Sequence, residues 1–299
     1  IGMTRMYYSV RDGKIIISSH AQLIARKRED FTISSEGLSV LFSLNGIPAP
    51  RSIFQDILVL KPSELKTFFD GGSRSKDYWN LLDQIVPYKG SFVDARDDFE
   101  RLLKESLQRI TFLNRAPVGV SMSGGVDSAL IAGLLVNSGI AAQGVTVGYN
   151  PPTRFDETES ASENGRLIGL PIEVLRVSDR DIAAALDQAI KSIPEPLGDA
   201  TILPQLLMAA AVKGKTASII DGTGADNIFG GMAKFSAERY ARHYLRIPKS
   251  LRVNLIRPLL NALPSSKKSA ITDQIRRMQK FSYGIELPED LQKVYWSRF

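Results

Sequence analysis

Residues 118–135 read Val118-Gly-Val-Ser-Met-Ser-Gly-Gly-Val-Asp-Ser-Ala-Leu-Ile-Ala-Gly-Leu-Leu135. The stretch opens as an apolar strand, Val118–Met122. It turns through Ser123, Gly124, Gly125, Val126, Asp127 and Ser128, then continues as an apolar helix over Ser128–Asn137. A strand that passes through a Gly-rich turn into a helix N-terminus makes a cradle for phosphate. Backbone N–H groups face the anion there, and the helix dipole favours negative charge. Two adjacent glycines let the backbone approach a phosphate without Cβ clashes. The hydroxyls of Ser123 and Ser128 can add hydrogen bonds, and Asp127 suits a Mg2+ that bridges phosphate oxygens. A purely structural Gly-Gly turn is the competing reading.

Downstream, strands and helices alternate. Ala142–Gly148, Ile172–Val177 and Ala217–Asp221 read as strands. Thr158–Ile168 reads as a helix closed by Gly169, Asp179–Ser192 as one with Ile182, Leu186 and Ile190 on a stripe, and Pro204–Lys213 as a third. Upstream, Phe92–Thr111 carries Phe99, Leu102, Leu103, Leu107 and Ile110 at helical spacing. This alternation predicts an α/β fold, a parallel sheet with helices on both faces.

The flanks differ. Arg5–Val10 and Lys14–Ser18 read as a hairpin about Asp12-Gly13. Helices over Ser19–Arg28 and Ser34–Leu44 follow, then strands Ile57–Leu60 and Leu65–Phe69, a polar turn Gly71–Lys76, and a linker to Gly90. Ala233–Phe299 carries a helical pattern only, broken at Ile247-Pro248, Pro258 and Pro264-Ser265-Ser266. The expected division is a small α+β region over 1–85, the α/β domain over 86–235 and a helical extension over 236–299.

In open parallel sheets, ligands sit at the carboxyl ends of the strands. Three polar loops fall there: Ser123–Ser128, Gly148–Glu157 with Asp156-Glu157 at its end, and Asp221-Gly-Thr-Gly-Ala-Asp-Asn-Ile-Phe-Gly-Gly231. Asp127 and Asp226 are the acids inside Gly-rich turns, and Mg2+ on a nucleotide takes one or two carboxylates. Asp226 could instead cap a helix beginning at Asn227. Glu195-Pro-Leu-Gly-Asp199 either lines the acceptor side or only separates two helices. Lys234 reads as a surface lysine before a phosphate ligand, and His20 and His243 as structural or exposed.

Composition removes several classes. The chain has 299 residues, 43% of them hydrophobic, and no cysteine, which rules out disulfides, thiolate metal sites and a Cys nucleophile. Two histidines argue against a His-based zinc centre. Neither a Gly-x-Ser-x-Gly elbow nor a Gly-x-x-x-x-Gly-Lys-Ser/Thr loop occurs, which disfavours a serine hydrolase and excludes an ordinary P-loop NTPase. Net charge is +6, but the basic runs Arg26-Lys27-Arg28 and Lys267-Lys268 are short and read as solvated faces, so no nucleic-acid partner is expected. No segment reaches the length of a membrane span and no signal pattern opens the chain, so a cytoplasmic location and no membrane contact are expected.

These residues resemble a known family. Ser123-Gly-Gly-Val-Asp-Ser128 is similar to the loop (PP-loop) of the N-type ATP pyrophosphatases. Within them the chain resembles the synthetase domain of asparagine synthetase and its relatives, β-lactam synthetases and lasso-peptide macrolactam cyclases. The likeness covers nearly the whole chain. Tyr7-Tyr8, the Asp12-Gly13 hairpin and Ser18-Ser19-His20 resemble the last hairpin of an Ntn glutaminase-like domain, and Pro48 to Ile57 with Tyr78-Trp79 resemble the linker. Asp156-Glu157, Glu195-Pro196 and Asp221–Gly231 fall in the family's order.

The resemblance implies an adenine nucleotide alpha hydrolase-like fold with ATP and Mg2+ as cofactors. Ser123, Gly124, Gly125, Asp127 and Ser128 would bind pyrophosphate. Asp127 and Asp226 would hold Mg2+, and Val147, Asp221 and Gly222 would border the nucleotide. The implied reaction adenylates a small-molecule or peptide carboxylate, releases pyrophosphate and passes the acyl group to an amine donor, either ammonia or a substrate amine. Two departures bear on the substrate. Thr223 stands where the family usually carries a glutamate that handles the amine, and Asn227 replaces a second acid. No glutaminase Cys is present, and family chains continue past the position of Phe299 to a catalytic lysine. A fragment, a shortened relative, or a split enzyme whose partner chain supplies the glutaminase or C-terminal segment are the three readings of that difference. The amide product leaves a ring-forming synthetase and a non-catalytic nucleotide-binding scaffold as alternatives to a carbon–nitrogen ligase of asparagine synthetase type.

Overall fold

Asp12 and Gly13 both take positive φ, 50° and 72°, and so close the tight hairpin of β1 (Tyr7–Arg11) and β2 (Lys14–Ser18). The computed structural model describes residues 4–112, 116–153, 156–266, 269–288, 291–292 and 295, and the backbone alone for 233–234 and 236–239. α1 (Ala21–Arg28) lays Ala21, Ile24 and Ala25 against Tyr7, Ile57 and Val59. α2 (Ser35–Leu44) follows, and β3 (Leu58–Val59) joins the other edge of β1, giving the order β2-β1-β3.

β4 (Glu64–Phe69) turns at Gly71, φ 88°, into β5 (Gly72–Asp77), pairing from Phe69↔Gly72 to Glu64↔Asp77. The polar turn expected over Gly71–Lys76 is therefore mostly a strand. All six β5 residues are exposed, so no apolar alternation marks them in the sequence. A single 3-10 turn, Leu82–Gln84, interrupts the link to α3 (Phe92–Thr111), which a Ser91–Asp94 capping box starts. Leu107 is buried and Leu103 packs on the core, whereas Leu102 and Ile110 stay exposed.

The main sheet contains β6 (Val118–Ser121), β7 (Ala142–Asn150), β8 (Ile172–Ser178) and β9 (Ser218–Ile220), parallel throughout in the order β8-β7-β6-β9. The intervening helices are α4 (Val126–Asn137), α5 (Thr158–Ile168), α6 (Asp179–Ser192) and α7 (Ile202–Ala211). Both faces are covered, as the alternation predicts. On one, Val120 and Met122 meet Leu107, Ala132, Leu135 and Ala161 of α3, α4 and α5. On the other, Val145 and Val147 meet Met208 of α7 and Val212. Gly144 faces the first core beside Met122 and Leu170, so successive β7 residues point into opposite cores. Burying the side chains of Val120, Val145 and Leu135 stabilises the layers by roughly 1.5–3 kcal/mol each.

By backbone contacts the chain forms two compact units, Ile1–Leu41 with Ile47–Thr223, and Phe42–Gly46 with Gly224–Phe299. The first contains the small hairpin sheets as well as the parallel sheet. The second contains α8 (Ala225–Phe229), α9 (Ala233–Tyr244), α10 (Lys249–Leu251), α11 (Arg257–Ala262) and α12 (Ala270–Gly284). Pro258 does not break its helix as expected. It stands at the start of α11, directly after a π-helical stretch, Arg252–Ile256, in which the Arg257 N–H bonds back to the Arg252 carbonyl. A loosened turn tolerates the ring and missing N–H of proline better than a regular α turn would. Within this unit Arg252 meets Glu286 at 2.6 Å and Arg257 lies 4.7 Å over the Tyr283 ring.

Candidate functional site at the sheet switch point

In the order β8-β7-β6-β9, chain progression runs one way from β6 to β8 and the other way to β9. The crevice at the carboxyl ends of β6 and β9 is therefore the topological switch point, where open α/β sheets bind ligands. Two of the sequence-marked loops in the first unit leave from these ends.

The loop after β6 is held by its own hydroxyls. Ser128 Oγ accepts the Ser123 N–H at 3.1 Å and lies 3.0 Å from Ser123 Oγ, which accepts the Gly125 N–H at 3.1 Å. Ser128 is buried, at 4% exposure, and its hydroxyl also donates to the Gly125 carbonyl at 3.2 Å. α4 begins at Val126, not Ser128, which puts Asp127 and Ser128 in the first helical turn. Its N-cap is Gly125, which has no capping side chain. The N–H groups of Val126, Asp127 and Ser128 have no intrahelical acceptor at this position and are available to an anion, with the dipole in its favour.

The loop after β9 comes close to this helix start. A Cβ on Gly222 would lie 3.0 Å from Asp127 Cβ and 3.3 Å from the Ser128 N. A Cβ at this position would make its neighbours give by a few tenths of an ångström. Asp221 Oδ1 accepts the Thr223 N–H at 2.8 Å and so fixes the turn. Asp127 is half-buried, whereas Asp221 and Thr223 are exposed.

The loop after β7 is organised by Asp156. Its Oδ1 accepts from the Thr158 N–H at 3.0 Å and hydroxyl at 2.5 Å, and its Oδ2 from the Tyr149 N–H at 3.2 Å and Arg176 Nη1 at 2.5 Å. Led by the Thr158 hydroxyl bond, these donors hold its carboxyl down to about 2. Gly148 leaves the room, because a Cβ there would sit 2.6 Å from Arg176 Nη1 and 3.0 Å from Asp156 Oδ2. Glu157 turns the other way and accepts the Gly124 N–H at 3.1 Å. The sequence marks Asp156-Glu157 as a loop pair but gives no sign of their partners Arg176 and Gly124.

Val147, expected beside the nucleotide, is half-buried and packs with Val145, Met208 and Val212. Glu195 is buried at 4% exposure and faces Arg5 at 2.9 Å. It also accepts the Ile53 N–H at 3.3 Å. Burial pushes its carboxyl up, and Arg5 opposes that. Of the two readings open for its loop, these contacts give Glu195 a structural one. His20 caps α1 without a side-chain bond to the helix, and its ring Nε2 lies 3.3 Å from the Ser192 carbonyl.

In the second unit, Asp226 lies in the first turn of α8 and is not its N-cap. That place belongs to Gly224, at φ 99°. Asp226 is exposed, and its carbonyl accepts the Gly231 N–H at 3.0 Å. The Lys234 side chain lies outside the described residues. Among the described residues no three His, Cys, Asp or Glu side chains cluster as a metal site, and no helix is long and apolar enough to cross a membrane. A centre built wholly from protein ligands does not fit this chemistry. A Mg2+ held by one or two carboxylates, phosphate oxygens and water does fit Asp127 beside an anion-accepting helix start.

Comparisons with known proteins place the chain in a family. The family model for asparagine synthase matches residues 98–294. Asparagine synthetase [glutamine-hydrolyzing] 1 of Bacillus subtilis (strain 168) is 22% identical over 85% of this chain and 40% of its own length. A putative asparagine synthetase [glutamine-hydrolyzing] 2 of Methanocaldococcus jannaschii is 24% identical over 85% of this chain and 50% of its own length. The chain thus spans half or less of the curated relatives it matches. The solved NMN synthetase of Francisella tularensis is 14% identical, with a TM-score of 0.36, over 68% of this chain and 95% of that one. The family match runs from within α3 through the parallel sheet and its strand-end loops into the helical unit, and on that ground the chain is a member of the asparagine synthase family.

Proposed function

We propose that this chain carries the ATP-dependent half of a carbon–nitrogen ligase, which adenylates a carboxylate and hands the acyl group to an amine. The observation that supports it most is the β6–α4 loop packed against Gly222 at the switch point. It offers a helix start with available N–H groups beside a half-buried carboxylate, in a family of ATP-using synthetases.

In this reading a substrate carboxylate oxygen attacks the α-phosphorus of ATP. The bond from that phosphorus to the α–β bridging oxygen breaks, and pyrophosphate leaves. The nitrogen of an amine then attacks the acyl carbon, the C–O bond to phosphate breaks, AMP leaves with the electron pair, and the amine loses a proton to water. The N–H groups of Val126, Asp127 and Ser128 bind the departing pyrophosphate and stabilise charge that grows on it, the kind of preorganised contribution that dominates such transfers. Mg2+, when bound, would neutralise phosphate charge, with Asp127 as its protein ligand. The sequence pattern assigns the same role to Asp226. Val147 and Gly222 are proposed to border the nucleotide, and Asp221 to fix the turn that carries Gly222 and Thr223.

Thr223 favours a second version of this reading. It is exposed and carries no carboxylate, so the acid that the family resemblance places on the amine side is missing at this position. An amine carried by the substrate itself, as in a ring-forming synthetase, fits that turn.

ATP–pyrophosphate exchange with Mg2+ against a panel of carboxylic acids, beginning with aspartate, tests the proposal. Exchange is expected with at least one acid and is expected to disappear in Asp127→Ala. Undiminished exchange in Asp127→Ala overturns the assignment of the loop, and the absence of both nucleotide binding and exchange overturns the function.

A further inference from the structure

One helix holds Gly124 by both its N–H and its carbonyl. The Gly124 N–H donates to Glu157 Oε2 at 3.1 Å, and its carbonyl accepts from Asn164 Nδ2 at 3.4 Å. Between them Ser160 packs so closely that a Cβ on Gly124 would lie 2.9 Å from Ser160 Cβ. Glu157 is the N-cap of α5, and Ser160 and Asn164 follow at i+3 and i+7, so all three share one helix face.

The other loop amides show a division of labour. Those of Ser123 and Gly125 are spent on Ser128 Oγ and Ser123 Oγ. That of Gly124 is spent on Glu157. The amides at the start of α4 are those that helix geometry leaves open. A carboxylate beside an anion-binding loop opposes binding through its charge. What Glu157 contributes is therefore geometric: it and Asn164 fix the two peptide planes that flank Gly124 and hence the direction in which α4 presents its amides.

We propose that Glu157, assisted by Asn164, is a positioning residue that holds the β6–α4 loop in its anion-accepting shape. The inference rests on the reading of that loop as the ATP phosphate site. Loops held in their bound shape bind more tightly because less ordering is lost on binding.

The test is titration of inorganic pyrophosphate with Mg2+ into the whole chain, alongside amide hydrogen exchange of the ligand-free loop. Glu157→Ala is expected to weaken pyrophosphate binding about tenfold, the size of one hydrogen bond to a charged group, and to speed exchange across the loop. Glu157→Gln keeps an acceptor oxygen and is expected to recover most of the loss in both readouts. Asn164→Ala is expected to fall between. The proposal is overturned if Glu157→Ala binds and exchanges like the unaltered chain. It is also overturned if Glu157→Gln is as weak as Glu157→Ala, which would make charge, such as metal ligation, the reason for the residue. If the unaltered chain does not bind pyrophosphate, the phosphate reading of the loop falls, while the exchange comparison still decides whether α5 holds it.

Discussion

Arg5 and Glu195 meet at 2.9 Å, with Glu195 almost wholly buried. The segment that ends α6 is gripped at several further points by the N-terminal region. Ala21 donates its N–H to the Pro194 carbonyl at 3.1 Å, and Gln22 Nε2 donates to the Ile193 carbonyl at 3.1 Å. The small hairpin sheet and the parallel sheet are thereby fastened through one polar knot inside a single unit.

Removing one partner of that knot leaves the other uncompensated. Glu195→Ala is expected to destabilise the chain by about 2–3 kcal/mol, toward the low end for a buried ion pair because Arg5 is about a third exposed. Denaturant unfolding measures it. Arg5→Met, which supplies volume but no charge, is expected to cost at least 1 kcal/mol, about the lower bound for a buried polar group left unmatched.

Asp156 makes stability pH-dependent. Its carboxyl lies at about 2 in the folded chain, below the unfolded value of about 3.9. The folded state therefore binds its proton less readily. This contribution is fully present above about pH 4 and is lost as pH falls through about 2. Unfolding midpoints compared between pH 5 and pH 2 should fall less in Asp156→Asn than in the unaltered chain, because the variant has no carboxyl to protonate.

Ile172 fills space that two glycines leave. A Cβ on Gly165 would lie 2.2 Å from Ile172 Cγ1 and 2.9 Å from the Leu170 carbonyl, and one on Gly144 would lie 2.2 Å from Ile172 Cδ1. Gly165→Ala is expected to cost about 2–3 kcal/mol by overpacking. Because the nearest clash is with the Ile172 side chain, Ile172→Ala, which removes both Cγ1 and Cδ1, should recover part of it, which a double-mutant cycle by thermal or denaturant unfolding reads as a coupling of at least about 0.5 kcal/mol.

Gly222→Ala separates function from fold. The new methyl would press on Asp127 Cβ and the Ser128 backbone at a loop rather than in a core. Magnesium-dependent pyrophosphate exchange is expected to fall several-fold, since the methyl displaces Asp127 and the helix start by a few tenths of an ångström, while the unfolding midpoint changes little.

Much of this architecture is legible in the sequence because it depends on local pattern. Val118–Ser121 and Ala142–Asn150 are apolar runs bounded by glycine and polar residues, and buried parallel strands have that composition. What escapes reading depends on distance or on the absence of pattern. β5 is polar throughout and becomes a strand only because β4 pairs with it. Glu195 looks like one more loop acid until Arg5 and the Ile53 N–H arrive from elsewhere in the chain. Ser128 reads as a loop hydroxyl but lies inside the first helical turn and bonds to Ser123, because the helix starts two residues earlier than its apolar run suggests.

The π-helical stretch Arg252–Ile256 acts on the helix as a change of thread pitch acts on a screw. On a regular α-helix, residues five apart point about 140° away from each other. Here the Arg257 N–H closes onto the Arg252 carbonyl, and the wider turn swings the two arginines toward one side, where Arg252 reaches Glu286 and Arg257 covers Tyr283. With the same five-residue spacing, a stretch at the common pitch would turn one arginine away from α12. The irregularity is thus what lets a single helical rod hold two points of its neighbour at once.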